Sequence, residues 1–333
     1  MKFKFIIILG MLCVCIAGCS KIGNNESKSL EHMDDGVILD DKVKDEGILV
    51  DEDIPLDEDI PHNEGISLNE DNIDENNKTN INENIPRIEE VDYSEYFNGI
   101  NGSAVFYSSN SNTYQIYNKQ MSEEQVSPCS TFKIISTLIG LEKGVIDSVD
   151  STMNYDNSIY PRDSWNKDMG LKEAFGTSCV WYFKKVIDQV GKEEIQETLN
   201  QLEYGNCDIS EWDGSGINPM PDLNGFWIES SLKISPKEQV EVLANIFSGK
   251  TDFTEQSIEI LKEVMLISQN ESTSIYGKTG KGYNDNAWFI GMVDNKVDTY
   301  YFAVHLNDID SNGVSGATAK EIALEIIEQY YTN

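Results

Sequence analysis

The order of hydrophobic periodicities along this 333-residue chain predicts an α+β fold, an antiparallel sheet whose middle is interrupted by a helical insertion. Three observations carry that expectation. Short β-branched or aromatic runs open and close the folded stretch, and several segments of helical spacing lie between them. One of those segments is apolar on nearly every face, as a buried central helix must be. An apolar fraction of 39%, with five Trp and 15 Tyr, supplies a core, so the chain as a whole is not disordered.

The elements follow in order. Lys2 and Lys4 precede an uncharged apolar run from Phe5 to Ile16. At about a dozen residues it falls short of the roughly 20 that span a bilayer. It ends in Ile16-Ala17-Gly18-Cys19, the small, small, Cys order of a bacterial lipobox. Residues 1–19 are therefore expected to be a lipoprotein signal peptide, with the Cys19 thiol as the site of lipidation. The mature protein is then exported and lipid-anchored to the outer face of the bacterial cell membrane. Residues 20–92 carry six basic against 23 acidic side chains, a net of −17, and no aromatic occurs between Ser20 and Val91. Such a composition does not offset the entropy of ordering. It reads as an acidic tether with a reach on the order of 45–50 Å.

Residues 93–333 are expected to form the folded domain. Gly102 to Ser108 and Thr113 to Asn118, split by Ser and Asn turn residues, predict a hairpin. Thr131 to Val145 is the apolar helix. Val180 to Val190, Glu193 to Leu202, Lys237 to Phe247 and Glu255 to Ser268 have amphipathic spacing. Ser235-Pro236-Lys237-Glu238 is a capping box with Pro at the first helical position. Three strand-like runs follow, Ser274 to Thr279, Ala287 to Val293 and Thr299 to Leu306, and the helix Ala317 to Tyr331 closes the chain.

Charge and histidine content narrow the chemistry. The domain holds 17 basic and 35 acidic groups, a net of −18, within a total of −33. That balance repels phosphate backbones, so no nucleic-acid partner is expected. Only His32, His62 and His305 occur, the first two in the tether and the third inside a strand run, where a packed structural role is expected. A Ser-His-Asp triad or a histidine zinc site does not fit, and no metal is expected. A hydrolase built here needs another base, and lysine is the substitute.

Ser130-Thr131-Phe132-Lys133 supplies one, at the start of the apolar helix. Residues i and i+3 share a helical face, which places the Lys133 amine beside the Ser130 hydroxyl. Burial favours the neutral amine, the form able to accept a proton. Spacing alone is weak, because Ser164-x-x-Lys167 and Ser230-x-x-Lys233 repeat it; the apolar helix behind Ser130 distinguishes it. Ser178-Cys179-Val180 opens another helix with a second hydroxyl, although Ser103-Ala104-Val105 shares the pattern. Tyr204-Gly205-Asn206 follows a helix, and Lys278-Thr279-Gly280 ends a strand, where its glycine admits close approach of a substrate backbone.

Pro128-Cys129-Ser130-Thr131-Phe132-Lys133, Ser178-Cys179-Val180, Tyr204-Gly205-Asn206, Phe226-Trp227 and Lys278-Thr279-Gly280 together resemble the class D β-lactamases. They resemble almost equally the extracellular sensor domain of β-lactam-responsive receptors. The likeness covers roughly 95–333 and implies the serine β-lactamase/transpeptidase fold, a five-stranded antiparallel sheet with a helical domain. Class A lacks support because no Ser-Asp-Asn is present. Class C shares Tyr-x-Asn but leaves Ser178 and Trp227 unexplained.

The resemblance implies acyl transfer from a β-lactam. Ser130 would attack the lactam carbonyl. Lys133, N-carboxylated by carbon dioxide or bicarbonate and held by the Trp227 indole N–H, would be the general base; no other cofactor is expected. Ser178 and Lys278 would pass the proton to the departing nitrogen. The backbone N–H groups of Ser130 and Lys281 would form an oxyanion hole worth about 3–4 kcal/mol per donor. Thr279, Gly280, Lys281 and Val180 would contact substrate, and Tyr204 would shape the cleft near Lys133. The family's carboxylate-binding arginine near the last strand has no counterpart in 299–320, and the domain's only arginine is Arg162; on the resemblance, Lys281 or a backbone group would have to stand in. Cys129, Cys179 and Cys207 are expected as small buried thiols. Three readings stay open and differ in deacylation: a β-lactamase that turns over, a sensor-like lipoprotein that stays acylated, and a peptidoglycan transpeptidase. The sensor reading predicts membrane spans and a signalling region ahead of this domain, where an export signal and a tether are read instead. The β-lactamase is preferred.

Overall fold

A computed structural model describes residues 85–283, 286–307 and 314–332. The stretch expected to be a signal peptide with Cys19, and the expected tether through residue 84, lie outside the described residues. The elements are β1 (Arg87–Glu90), α1 (Ser94–Phe97), β2 (Gly102–Ser108), β3 (Thr113–Tyr117) and α2 (Lys119–Ser122), followed by a 3-10 turn (Cys129–Phe132) that runs into α3 (Lys133–Glu142). The helical insertion continues with α4 (Leu171–Gly176), α5 (Val180–Val190), α6 (Lys192–Gln201), α7 (Pro236–Phe247) and α8 (Glu255–Met265). The chain then returns to the sheet through β4 (Leu266–Gln269), β5 (Ser274–Lys281), β6 (Asn286–Asp294) and β7 (Thr299–Asn307), and ends in α9 (Gly316–Tyr330).

The sheet corrects the expectation of five antiparallel strands. It has seven, in the order β1-β3-β2-β7-β6-β5-β4, and it is mixed, because β1 runs parallel to β3. The five strands anticipated from sequence form its antiparallel centre, β3, β2, β7, β6 and β5. The two additions are edge strands of four residues whose side chains are all exposed. With no face to bury, they carry no alternation to detect. β1 falls in the stretch read as tether. β4 falls where helical spacing was extended to Ser268; α8 stops at Met265, and Leu266 is already extended at φ −61°, ψ 120°.

Both faces of the sheet are covered, which explains why its central strands are apolar without interruption. Successive side chains alternate between two cores. Ala287, Phe289 and Val293 of β6, with Phe302, Val304 and Leu306 of β7, pack under α9 and α1. Trp288, Ile290 and Met292, with Tyr301 and Ala303, face the helical insertion. Each such side chain fully buried stabilises the fold by about 1.5–3 kcal/mol relative to exposure.

Within the insertion, α3 is buried from Lys133 through Gly140. A Cβ at Gly140 would lie 2.7 Å from Val186 Cγ1, so the glycine lets α3 cross α5 closely. The Ser235 capping box forms as expected, with Glu238 returning to the Ser235 backbone and Pro236 in the first turn. Among the described residues no helix is long and apolar enough to cross a membrane.

Candidate active site

Ser130 sits in the 3-10 turn rather than in α3 itself. Three residues per turn eclipse positions i and i+3, which brings Lys133 Nζ to 2.8 Å from Ser130 Oγ. Cys129, just before Ser130, takes a left-handed φ of 51°, a conformation sparsely populated by non-glycine residues and typical of functional turns. Its N–H donates to Trp227 O at 2.9 Å, fixing the turn against the Phe226-Trp227 segment. Lys133 is fully buried. Burial is the main cause that lowers its pKa to about 7, opposed by the Cys179 and Cys129 thiols and assisted by the Arg162 charge. A large fraction is therefore the neutral amine near pH 7, the form whose lone pair is able to accept a proton from a hydroxyl 2.8 Å away.

The second pair comes from two other elements. Ser178 precedes α5 with φ 58°, and Lys278 Nζ on β5 donates to Ser178 Oγ at 3.0 Å and to Thr279 O at 3.0 Å. Lys278 is buried, and that burial, with repulsion from Lys133 and Arg162, holds its pKa well below the usual lysine range. Two ammonium groups in one dry site repel each other, so the pair favours neutral amines. With Nζ donating to its oxygen, Ser178 keeps its own hydrogen to give away.

Ser130, Ser178, Val180, Thr279, Gly280 and Lys281 line a single cleft of about 620 Å³, a size suited to a small molecule. The first turn of α9 completes the wall at Ser315, Gly316 and Ala317. Tyr204 does not line it. That side chain is buried behind the turn, edge-on to Phe132 at 5.7 Å, with its hydroxyl 3.5 Å from Gln239 Oε1. Trp227 also lies behind, stacked on Phe132 at 5.8 Å, and its buried Nε1–H has no hydrogen-bond partner. A Cβ at Gly280 would meet Pro128 O and Thr131 Cγ2 at 3.1 Å, so the glycine lets β5 close on the Ser130 turn.

The segment leading into the Ser130 turn is braced by a polar network the sequence did not reveal. Ser127 Oγ donates to Trp227 O at 3.0 Å, while Trp288 Nε1 and Asn286 Nδ2 donate to Ser127 O at 3.0 and 2.9 Å. Asn286 Oδ1 lies 2.9 Å from His305 Nε2. His305 is buried on β7, its pKa pushed down to about 3 by desolvation, so it stays neutral and structural as expected. Cys129 and Cys179 are buried free thiols, and Cys207 is a partly buried one; burial pushes the first two up to about 12 and about 11. Arg162 and Trp165 were also missed as cleft residues; the only signal was that Arg162 is the domain's sole arginine. Among the described residues no group of three or more His, Cys, Asp or Glu is arranged to hold a metal ion.

A family model for the penicillin-binding protein transpeptidase domain matches residues 98–328. The chain belongs to that family. Within it, the relatives are class D β-lactamases and receptor sensor domains. The regulatory protein BlaR1 of Bacillus licheniformis is 35% identical over 248 residues, 73% of this chain but 39% of the relative, so the chain spans well under half of that receptor's length. The solved C-terminal domain of the Bacillus licheniformis BlaR penicillin-receptor superposes with a TM-score of 0.66 at 33% identity, covering 74% of this chain and 98% of that one. The probable beta-lactamase YbxI of Bacillus subtilis is 30% identical over 246 residues, 73% of this chain and 86% of the relative. FUS-1, a class D beta-lactamase from Fusobacterium nucleatum, superposes with a TM-score of 0.64 at 33% identity, covering 72% of this chain and 97% of that chain.

Proposed function

We propose that the protein hydrolyses β-lactam antibiotics through an ester on Ser130. The observation that carries the reading is the buried Lys133 amine 2.8 Å from the Ser130 hydroxyl at the floor of the cleft. As Ser130 Oγ bonds to the lactam carbonyl carbon, its proton passes to the Lys133 side chain. The ring C–N bond then breaks, and the nitrogen takes the Ser178 hydroxyl proton; the proton first taken from Ser130 returns from the Lys133 side chain to restore that hydroxyl, while Lys278 holds Ser178 Oγ across their 3.0 Å hydrogen bond. The backbone N–H groups of Ser130 and Lys281 are assigned to the carbonyl oxygen.

Water must later cleave the ester, and a neutral amine is a modest base for that step. We infer that Lys133 is N-carboxylated. The site fits: the amine is neutral near pH 7 and apolar neighbours surround it, with the Phe183 ring centroid 5.5 Å from Nζ. Trp227 holds an unpartnered buried N–H beside the same turn. The carbamate supplies a general base for both acylation and deacylation. Val180 on the cleft wall offers no donor or acceptor to compete for that lysine. We further infer export and lipidation at Cys19 from the leader's basic, apolar, small-small-Cys order, which would place the cleft outside the cytoplasm.

A second reading has an observation of its own. The receptor BlaR1 is 35% identical and its penicillin-receptor domain superposes over nearly its whole length. In that reading Ser130 is acylated and stays so. Ultraviolet loss of a penicillin, followed with and without bicarbonate, separates the two. Hydrolysis expects many turnovers per protein, stimulated by bicarbonate and abolished in Ser130→Ala. Loss of a single equivalent would leave the sensor.

A further inference from the structure

An acidic protein that takes an anionic substrate needs local positive charge. The domain carries a net of −18, yet no Asp or Glu occurs among the described residues that line the cleft, while Arg162 and Lys281 do. Lys133 and Lys278 are buried and depressed in pKa, so they add little charge to the open cleft. Arg162 is held unusually well for an exposed side chain. Its guanidinium carbon lies 5.1 Å from the centroid of the Trp165 ring. Trp165 is itself buried, with Nε1 donating to Thr177 O at 3.1 Å and its carbonyl accepting from Trp181 Nε1 at 2.9 Å.

Stacking of this kind fixes the plane of the guanidinium and leaves its N–H edge free to bond. Among the described residues no carboxylate forms an ion pair with that edge. A planar fork without a partner, on the wall of a cleft shared with Ser130 and Thr279, matches a carboxylate bidentately.

We propose that Arg162, seated on Trp165, holds the carboxylate of the β-lactam, the task that family resemblance gives to an arginine near the last strand. The assignment rests on the Ser130 acylation reading. It makes the loop before α4, rather than the β5–α9 side alone, the anchor for the acidic end of the substrate. The backbone there is extended, with Arg162 at φ −103°, ψ 117°, leading into a short 3-10 turn that carries Trp165.

The test measures acylation rate constants of the full chain with a penicillin bearing its free carboxylate and with the methyl ester of the same compound. Arg162→Ala should slow acylation by the free acid about 10- to 100-fold, the range of a charge-assisted pair, and change the ester by less than about 3-fold. Arg162→Lys should recover part of the loss, as a point charge without the fork. Equal rates for wild type and Arg162→Ala on the free acid would overturn the assignment. So would an equal fall on acid and ester, or a shifted pH profile common to both, either of which would mark Arg162 as tuning Lys133. Failure of the wild type to be acylated by either compound would refute the Ser130 reading and the assignment with it.

Discussion

Replacing Trp227 by Phe isolates the one buried indole N–H that has no partner among the described residues. An unsatisfied buried donor costs about 1–3 kcal/mol, and a hydrogen bond to a charged acceptor contributes about 1.5–3 kcal/mol. If Nε1 exists to hold a carbamate on Lys133, removing it should weaken carbon dioxide uptake by about 10- to 100-fold. Stability should change much less. The smaller ring forfeits packing at a side chain that is 1% exposed, but it also deletes an orphaned polar atom, and the two effects oppose. A net change within about 1.5 kcal/mol corresponds to a Tm shift of a few degrees for a domain of this size. The assay is a bicarbonate titration of turnover, with ¹³C-bicarbonate NMR counting the carbamate directly. A half-saturating bicarbonate concentration equal in wild type and Trp227→Phe would refute the reasoning, whatever the stability change.

Further expectations concern the lysine, the strand beside it and the brace behind it. Acylation without added bicarbonate should rise with pH through about 7 and level off, because the Lys133 amine loses its proton there; a flat profile from pH 5.5 to 8.5 would contradict this. A lysine depressed on folding leaves the unfolded chain with more bound protons between about 7 and 10.5, so the stability of the wild type should climb across that window. Lys133→Met should therefore be inactive yet more stable at pH 7, with the gain shrinking toward pH 10, as denaturation melts would show. Gly280→Ala adds a methyl 3.1 Å from Pro128 O and Thr131 Cγ2. It should cost about 1–3 kcal/mol and slow acylation by prying β5 from the nucleophile turn; unchanged melting and rates would count against that contact. Asn286→Leu strips bonds from Ser127 O and His305 Nε2, and the stability measured by denaturation melts should drop by about 2–4 kcal/mol.

Chemistry-bearing residues were legible where covalent spacing brings them together. Ser130 and Lys133 meet because three residues make one turn, and the apolar run behind them marks a buried helix. The five central strands were legible because β-branched and aromatic runs are bounded by turn residues, most plainly in β6 and β7. What the sequence concealed depends on the tertiary fold. The edge strands β1 and β4 bury nothing and leave no periodic mark. Tyr204 looked like a cleft residue because it belongs to a motif, yet packing carries its ring behind Phe132. Gly280 lines the cleft, but its close approach to Pro128 and Thr131 on the other side was not legible. The brace through Ser127, Asn286 and His305 spans almost 180 residues of sequence. Arg162 and Trp165 lie in an irregular loop that only the fold carries to the cleft.

The most direct test of the central claim is intact mass of the full chain after mixing with a penicillin in bicarbonate buffer, sampled from milliseconds to minutes. The account predicts an adduct of one penicillin mass on Ser130, absent in Ser130→Ala, that decays to unmodified protein while the lactam continues to disappear. An adduct that persists at one equivalent with no further loss of lactam would contradict hydrolysis. No adduct at all would contradict Ser130 as the nucleophile.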